Sequence, residues 1–298
     1  MFTRRIAIAL VFLLGFSGGS AVAQTAKASP TASEAMSRII AATGAAAPSD
    51  TVDTLKAGDP NTVVTGIATT FMDTYSVLEQ AVADGKNLII SHEPTFYNHR
   101  DDTSILAGDA VQAQKLEYMR QHHLVVYRFH DTWHLRQPDG ILVGVVEELG
   151  WKPYQSGVDA HLFTLPPTTV AQLAASLRSK TGSRSIRIVG DVKMPVTQVG
   201  LLPGASGLVK QVKMLERDDV QVLVAGESAE WEGVEYAQDA AAEGRHKALI
   251  LLGHEISEEA GMRYCAEWLK GIFPGLPIEY IRAGEPFEMP EPVPSAKF

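Results

Sequence analysis

Four histidines follow apolar, β-rich runs in this chain, and each has an acid nearby. His92 ends the run Leu88 to Ser91 and precedes Glu93. His130 and His134 follow Leu124 to Phe129, with Asp131 between them. His254 follows Ala248 to Leu252 and stands before Glu255 and Glu258. Loops beyond the carboxyl ends of strands are where α/β proteins place ligands. Neutral imidazoles and carboxylate oxygens are natural donors for Zn, Mn, Fe or Ni. The donors exceed the three or four protein ligands that one zinc takes, so the pattern predicts a pair of divalent cations, two per chain, sharing carboxylates. Individually the residues have plainer readings. Glu258 follows Ser257, a good N-cap, and suits the first turn of a helix. Asp131 and His134 suit a turn around Trp133, and His122-His123 suits a solvated helix end. The recurrence at three strand ends favours the metal site.

The elements that must position these groups alternate in the manner of an α/β (α+β) protein. Expected strands are Val63 to Ala68, Leu88 to Ser91, Leu124 to Phe129, Ile186 to Val189, Gln198 to Leu202, Val220 to Val224 and Ala248 to Leu252. Expected helices are Tyr75 to Asp84, Ala107 to Gln121, Gly140 to Leu149, Thr169 to Lys180, Trp231 to Glu243 and Glu258 to Lys270. Pro166-Pro167 reads as loop punctuation. An internal echo relates Leu78–Glu93 to Tyr236–Glu255: helix, acid-Gly-basic turn, buried strand, His-Glu. Gly85 and Gly244 serve as the helix caps in this reading. The chain is therefore expected to hold two quasi-repeated halves, 49–155 and 156–273, with the metal site between them at the strand ends. The six-proline segment 274–298 reads as an extended tail.

Composition narrows the function. At 298 residues, 45% apolar, with a formal charge of -9, the chain is globular and has no basic footprint for nucleic acid. The single Cys265 excludes an internal disulfide framework, a Cys-rich zinc site and an iron-sulfur cluster. Arg4-Arg5, the apolar run Ile6 to Phe16 and the small-residue stop Ala21-Val22-Ala23 have the layout of a secretory signal cleaved after Ala23. That layout predicts a secreted or periplasmic protein with no membrane attachment after cleavage. Residues 24–48 read as a flexible leader with a short helix near Glu34 to Ala42. Gly204 to Gly207 is a turn whose backbone N–H groups could also cup an anion. Glu227, after Val220 to Ala225, is a candidate general acid or base.

Several short motifs carry a family resemblance. Asn87 to Pro94 resembles an "NLIISHHP" segment and Gly253 to Glu258 a "GHYxxE" segment of the Nif-three-like dinuclear-metal family, also called GTP cyclohydrolase type 2 homologues. Arg187 to Asp191 resembles that family's "RxVGD", Gly204 to Gly207 its "GGSG" and Ala225 to Glu227 its "TGE", all in the family's order over roughly Val63 to Phe273. The resemblance implies that His92, His254 and Glu258 are metal ligands and that the assembly is a toroidal hexamer. Two positions depart from the pattern. Glu93 replaces a second histidine, and in His130-Asp131-Thr132-Trp133-His134 the last residue takes the place of a usually bridging aspartate. On this reading His92, His130, His134, His254 and Glu258 hold the ions, Glu93 or Asp131 completes or bridges the site, and Glu227 and Asp131 are the catalytic candidates. The function implied is a divalent-metal-dependent hydrolase acting on an unspecified small molecule. Its alternative is a non-catalytic periplasmic metal-binding or interaction protein.

Overall fold

The computed structural model describes residues 29–290; the expected signal sequence, 1–23, lies outside them, as does 291–298. Among the described residues, ten strands form two five-stranded sheets. In chain order they are β1 (Leu55–Ala57), β2 (Ile67–Thr70), β3 (Leu88–Ser91), β4 (Val125–Arg128), β5 (Leu162–Thr169), β6 (Arg187–Val189), β7 (Pro195–Leu202), β8 (Val222–Ala225), β9 (Ala248–Leu251) and β10 (Ile278–Tyr280). The first sheet is ordered β1-β4-β3-β2-β10 and the second β5-β7-β8-β9-β6. Each has a parallel centre, β4-β3-β2-β10 in one and β7-β8-β9 in the other, with antiparallel strands only at edges.

Parallel neighbours need crossover connections, and helices supply them. In chain order the helices are α1 (Ala32–Thr43), α2 (Tyr75–Ala83), α3 (Ala110–Gln121), α4 (Asp131–Leu135), α5 (Gly140–Leu149), α6 (Val170–Thr181), α7 (Leu208–Leu215), α8 (Glu235–Ala242) and α9 (His254–Ile272). The units β2-α2-β3-α3-β4 and β7-α7-β8-α8-β9 share one connectivity. Strands β2, β3, β4, β8 and β9 are buried at every position, which explains why they read as unbroken apolar runs rather than alternating ones.

The two halves close α2 and α8 identically. Gly85 N–H donates to Val82 O and Lys86 N–H to Ala81 O; Gly244 N–H donates to Ala241 O and Arg245 N–H to Ala240 O. Both glycines sit at positive φ, 69° and 74°, as a Schellman closure requires. Topology nevertheless pairs β3 with β8 and β4 with β9, so the sequence echo relates strands one βα unit apart.

Helix α9 joins the halves. It leaves β9 of the second sheet and packs on β2 and β10 of the first. Its crossing with α5 is close: a Cβ on Gly144 would stand 2.3 Å from Ala260 O, and one on Gly261 would stand 2.5 Å from Ile141 Cα. Ile141, Val145, Ala260, Cys265 and Leu269 are buried in the shared core, each large apolar side chain contributing about 1.5–3 kcal/mol by leaving water.

Four expectations change. Helix α9 begins four residues earlier than Glu258, capped at Gly253, so Ser257 lies inside it and is not its N-cap. Pro166-Pro167 lies within β5 at a register irregularity; β5 is an edge strand, where missing N–H groups are tolerated. The segment expected as a tail supplies β10, parallel to β2. Within the expected leader, α1 is capped by a Thr31–Glu34 box and buries Ala32, Ala35 and Ile39.

Candidate metal centre

Four parallel strands point their carboxyl ends at one place. β3 delivers His92 and Glu93, β4 delivers His130, β8 delivers Glu227, and β9 delivers His254. Two further groups arrive on helices. Glu258 is four residues after His254 on α9, hence on the same helical face. His134 rides on α4, whose start is pinned by a residue absent from the sequence reading. The buried carboxylate of Asp53 accepts N–H bonds from His130 (2.7 Å), Asp131 (2.8 Å) and Thr132 (2.8 Å). A carboxylate at a helix start is favoured by the exposed N–H groups there.

The imidazoles are held in one sense. His92 Nδ1 lies 3.1 Å from Phe129 O, His130 Nδ1 2.9 Å from Asp131 Oδ1, and His134 Nδ1 3.0 Å from Asp139 Oδ2. His254 Nδ1 faces Glu227 Oε1 at 3.5 Å. With each Nδ1 beside an acceptor, each Nε2 is turned to the centre, the arrangement that orients metal-binding histidines.

The Nε2 atoms converge on two carboxylates. Glu258 Oε2 is 3.2 Å from His254 Nε2 and 3.5 Å from His92 Nε2, while its Oε1 is 3.9 Å from His134 Nε2. Glu93 Oε1 is 3.4 Å from His254 Nε2 and 3.6 Å from His130 Nε2. Two overlapping donor groups result, His92-His130-His134 and His92-Glu93-Glu258. His92 Nε2 and Glu258 Oε2 are buried without a hydrogen-bond partner. Such orphans are costly to bury, and a cation would satisfy both.

Charge agrees with that fit. Burial, reinforced by the neighbouring His130 and His134, holds His92 well below its ordinary pKa, in the neutral form that ligates. Burial also opposes charge on His254, but Glu227, Glu258 and Glu93 outweigh it and push its pKa up to about 12. Glu93 is held below the usual carboxylate range: burial works against this and His254, His130 and Arg128 prevail. Three carboxylates thus surround one imidazole, an excess of negative charge suited to divalent cations.

All six expected ligands, His92, Glu93, His130, His134, His254 and Glu258, meet here. The two expected catalytic acids stand behind the histidines, each at an Nδ1. Asp131 Oδ1 faces His130, and Oδ2 accepts from Thr51 Oγ1 (2.8 Å) and Val52 N (3.0 Å), so both oxygens are engaged away from the centre and it orients an imidazole rather than bridging. Glu227, half-exposed, faces His254 Nδ1. Within the Gly204–Gly207 turn, Gly204 is committed to packing. Gly204 N–H donates to Ser257 Oγ (2.9 Å), and a Cβ on Gly204 would stand 2.1 Å from Glu258 Oε1.

Sequence reasoning also missed Asp139, which caps α5 through Oδ1 while Oδ2 holds His134, and Arg128. Arg128 is fully buried and donates to His92 O, His99 O and Glu93 Oε2. It is the one charge in the run Val125 to Phe129, which was its signal. Asp101, which follows β3 in the chain, completes this network through Lys56 (2.9 Å) and Arg128 (3.5 Å).

The centre opens on a cavity of about 950 Å³. Comparison with known proteins adds the family: the model of Duf34/NIF3 (NGG1p interacting factor 3) matches residues 35–284. The chain belongs to the Duf34/NIF3 family. Solved structures agree on the fold. The hypothetical protein SA1388 of Staphylococcus aureus superposes with TM-score 0.69 at 19% identity, covering 88% of this chain and 99% of its own. A Bacillus cereus protein related to NIF3 gives 0.68 at 14% identity, covering 88% and 100%. The protein ybgI, of unknown function, gives 0.68 at 18% identity, covering 87% and 100%. No curated protein matches the chain. Relative to the family motifs, Glu93 and His134 exchange a carboxylate and a histidine between the end of β3 and helix α4, so three histidines and two carboxylates persist at the five motif positions.

Proposed function

We propose that this Duf34/NIF3 protein is a divalent-metal-dependent hydrolase of small molecules with two cations, Zn, Mn, Fe or Ni, per chain. One observation carries the reading: four imidazoles with oriented Nδ1 atoms turn Nε2 toward two carboxylates at the mouth of a cavity. His92, His130, His134 and His254 would hold the ions with Glu93 and Glu258. The two oxygens of Glu258 face different histidines, which suits it to the shared position. When bound, such cations supply Lewis acidity and lower the pKa of a coordinated water toward neutrality.

The chain's own residues do the rest. Phe129 O, Asp131, Asp139 and Glu227 hold the four rings in their ligating tautomer. Arg128 anchors Glu93 through its second oxygen. Glu227, whose side chain is 52% exposed, keeps the proton on His254 Nδ1 and can exchange a proton of its own carboxyl group with solvent. The signal layout supports an exported, secreted or periplasmic site of action, and family membership supports a homo-oligomer.

The test is hydrolysis by the metal-loaded protein over a panel of phosphoesters, amides and nucleotides, against His254→Ala. We expect turnover of at least one class, lost in the variant. Turnover unchanged in His254→Ala, or no turnover by protein carrying its full metal complement, would contradict hydrolysis; the latter leaves a binding protein.

A further inference from the structure

The cavity has a second chemically distinct wall. Lys210 and Lys213 of α7 line it, spaced i, i+3 and therefore on one helical face, and Arg217 follows four residues later. Arg217 is committed to Asp159 (3.2 Å) and Asp219 (2.8 Å), and Arg100, also lining the cavity, to Asp50 (3.3 Å). Among the described residues, neither Lys210 nor Lys213 has a carboxylate within ion-pairing distance. Two lysines without a carboxylate partner thus line the cavity that holds the metal centre, in a chain of formal charge -9. Leu142, Leu202 and Met214 line the same space and give it an apolar surface.

We propose that Lys210 and Lys213 form an oxyanion-binding subsite, and that the ligand is a small molecule carrying a phosphate or carboxylate group. This rests on the metal-centre reading only for what lies at the ligand's other end. Lysine ammonium groups bind phosphate as mobile point charges, and clefts lined by one sign of charge concentrate ligands of the opposite sign. The cavity is at the upper end of the roughly 300–1,000 Å³ of small-molecule pockets, enough for the acid group to sit on α7 while another part of the molecule reaches the strand ends. The apolar residues then cover the body of the ligand.

Inorganic phosphate is the probe, titrated by calorimetry into the purified mature chain, once loaded with zinc and once chelated. Acetate titrated in parallel separates a phosphate from a carboxylate preference. The double variant Lys210→Met, Lys213→Met is compared with Lys193→Met, an exposed lysine outside the cavity. All three side chains are exposed, so folding is not at stake. We expect the double variant to bind at least fivefold more weakly in both states, the control to stay within twofold of the parent, and the parent's affinity to fall with salt. The subsite is overturned by a double variant within twofold of the parent, by equal loss in Lys193→Met, or by no saturable binding of either anion to the parent. Lysine-dependent binding by protein that fails to take up metal would refute the hydrolase reading and leave the subsite standing.

Discussion

Gly204→Ala tests whether the turn after β7 is shaped to hold Glu258. Gly204 has φ of +66°, and an alanine Cβ there would stand 2.1 Å from Glu258 Oε1 and 2.7 Å from Glu258 Cδ. The side chain must retreat by about an ångström or more to reach ordinary contact, and Oε1 is the atom nearest His134 Nε2. The left-handed backbone costs alanine about 1–2 kcal/mol, or roughly 2–4 °C of Tm per kcal/mol at this size. Displacing a ligand through its support typically costs about 10–100-fold in metal affinity. Gly244→Ala separates the two effects: Gly244 has φ of +74° but nothing within 4 Å of its Cβ position. Chelator competition for zinc, with thermal unfolding in parallel, should show both variants losing similar stability and only Gly204→Ala losing metal affinity. Metal affinity unchanged in Gly204→Ala, or equally reduced in Gly244→Ala, would refute the reasoning.

Two further perturbations follow from charge. In the metal-free protein His254 stays protonated up to about pH 12, so a cation must displace that proton. Zinc affinity should therefore rise with pH through the neutral range, and calorimetry in buffers of different ionisation enthalpy should show about one proton or more released at pH 8; pH-independent affinity would contradict the arrangement. Because the folded-state pKa is raised, the stability from His254 is fully present below its unfolded value of about 6.5 and declines as pH climbs toward 12. Thermal unfolding of chelated protein should show that fall, absent in His254→Ala. Arg128→Met removes a fully buried cation from Glu93 and Asp101, and denaturant unfolding should show a loss of about 3–5 kcal/mol. A loss under about 1 kcal/mol, the scale of an exposed ion pair, would mean that the network does not hold Glu93.

The ligands were legible because they sit on the most regular parts of the chain. Apolar runs such as Leu88 to Ser91 and Ala248 to Leu252 mark parallel strands, and topology sends whatever follows them to one edge. The supports were not legible. Asp53 lies 77 residues before His130 N, which it bonds, and nothing in the local pattern around it announces a cap for a distant helix. Asp139 reads as an ordinary N-cap, and only folding shows its second oxygen on His134. Ser257 misled for the opposite reason: its type suits a helix start, but Gly253 supplies the start and the serine bonds Gly204 inside the helix. Segment 274–298 was read from its prolines, whereas three residues, Ile278–Tyr280, suffice for an edge strand.

The central claim is that the converging Nε2 and carboxylate atoms form a two-cation centre, and counting metal per chain tests it most directly. The mature protein, purified without added metal or chelator and then reconstituted, should carry two equivalents of a transition metal. Glu258→Gln should carry one or none while keeping its fold by circular dichroism. No metal bound even after reconstitution, or two equivalents undiminished in Glu258→Gln, would contradict the account.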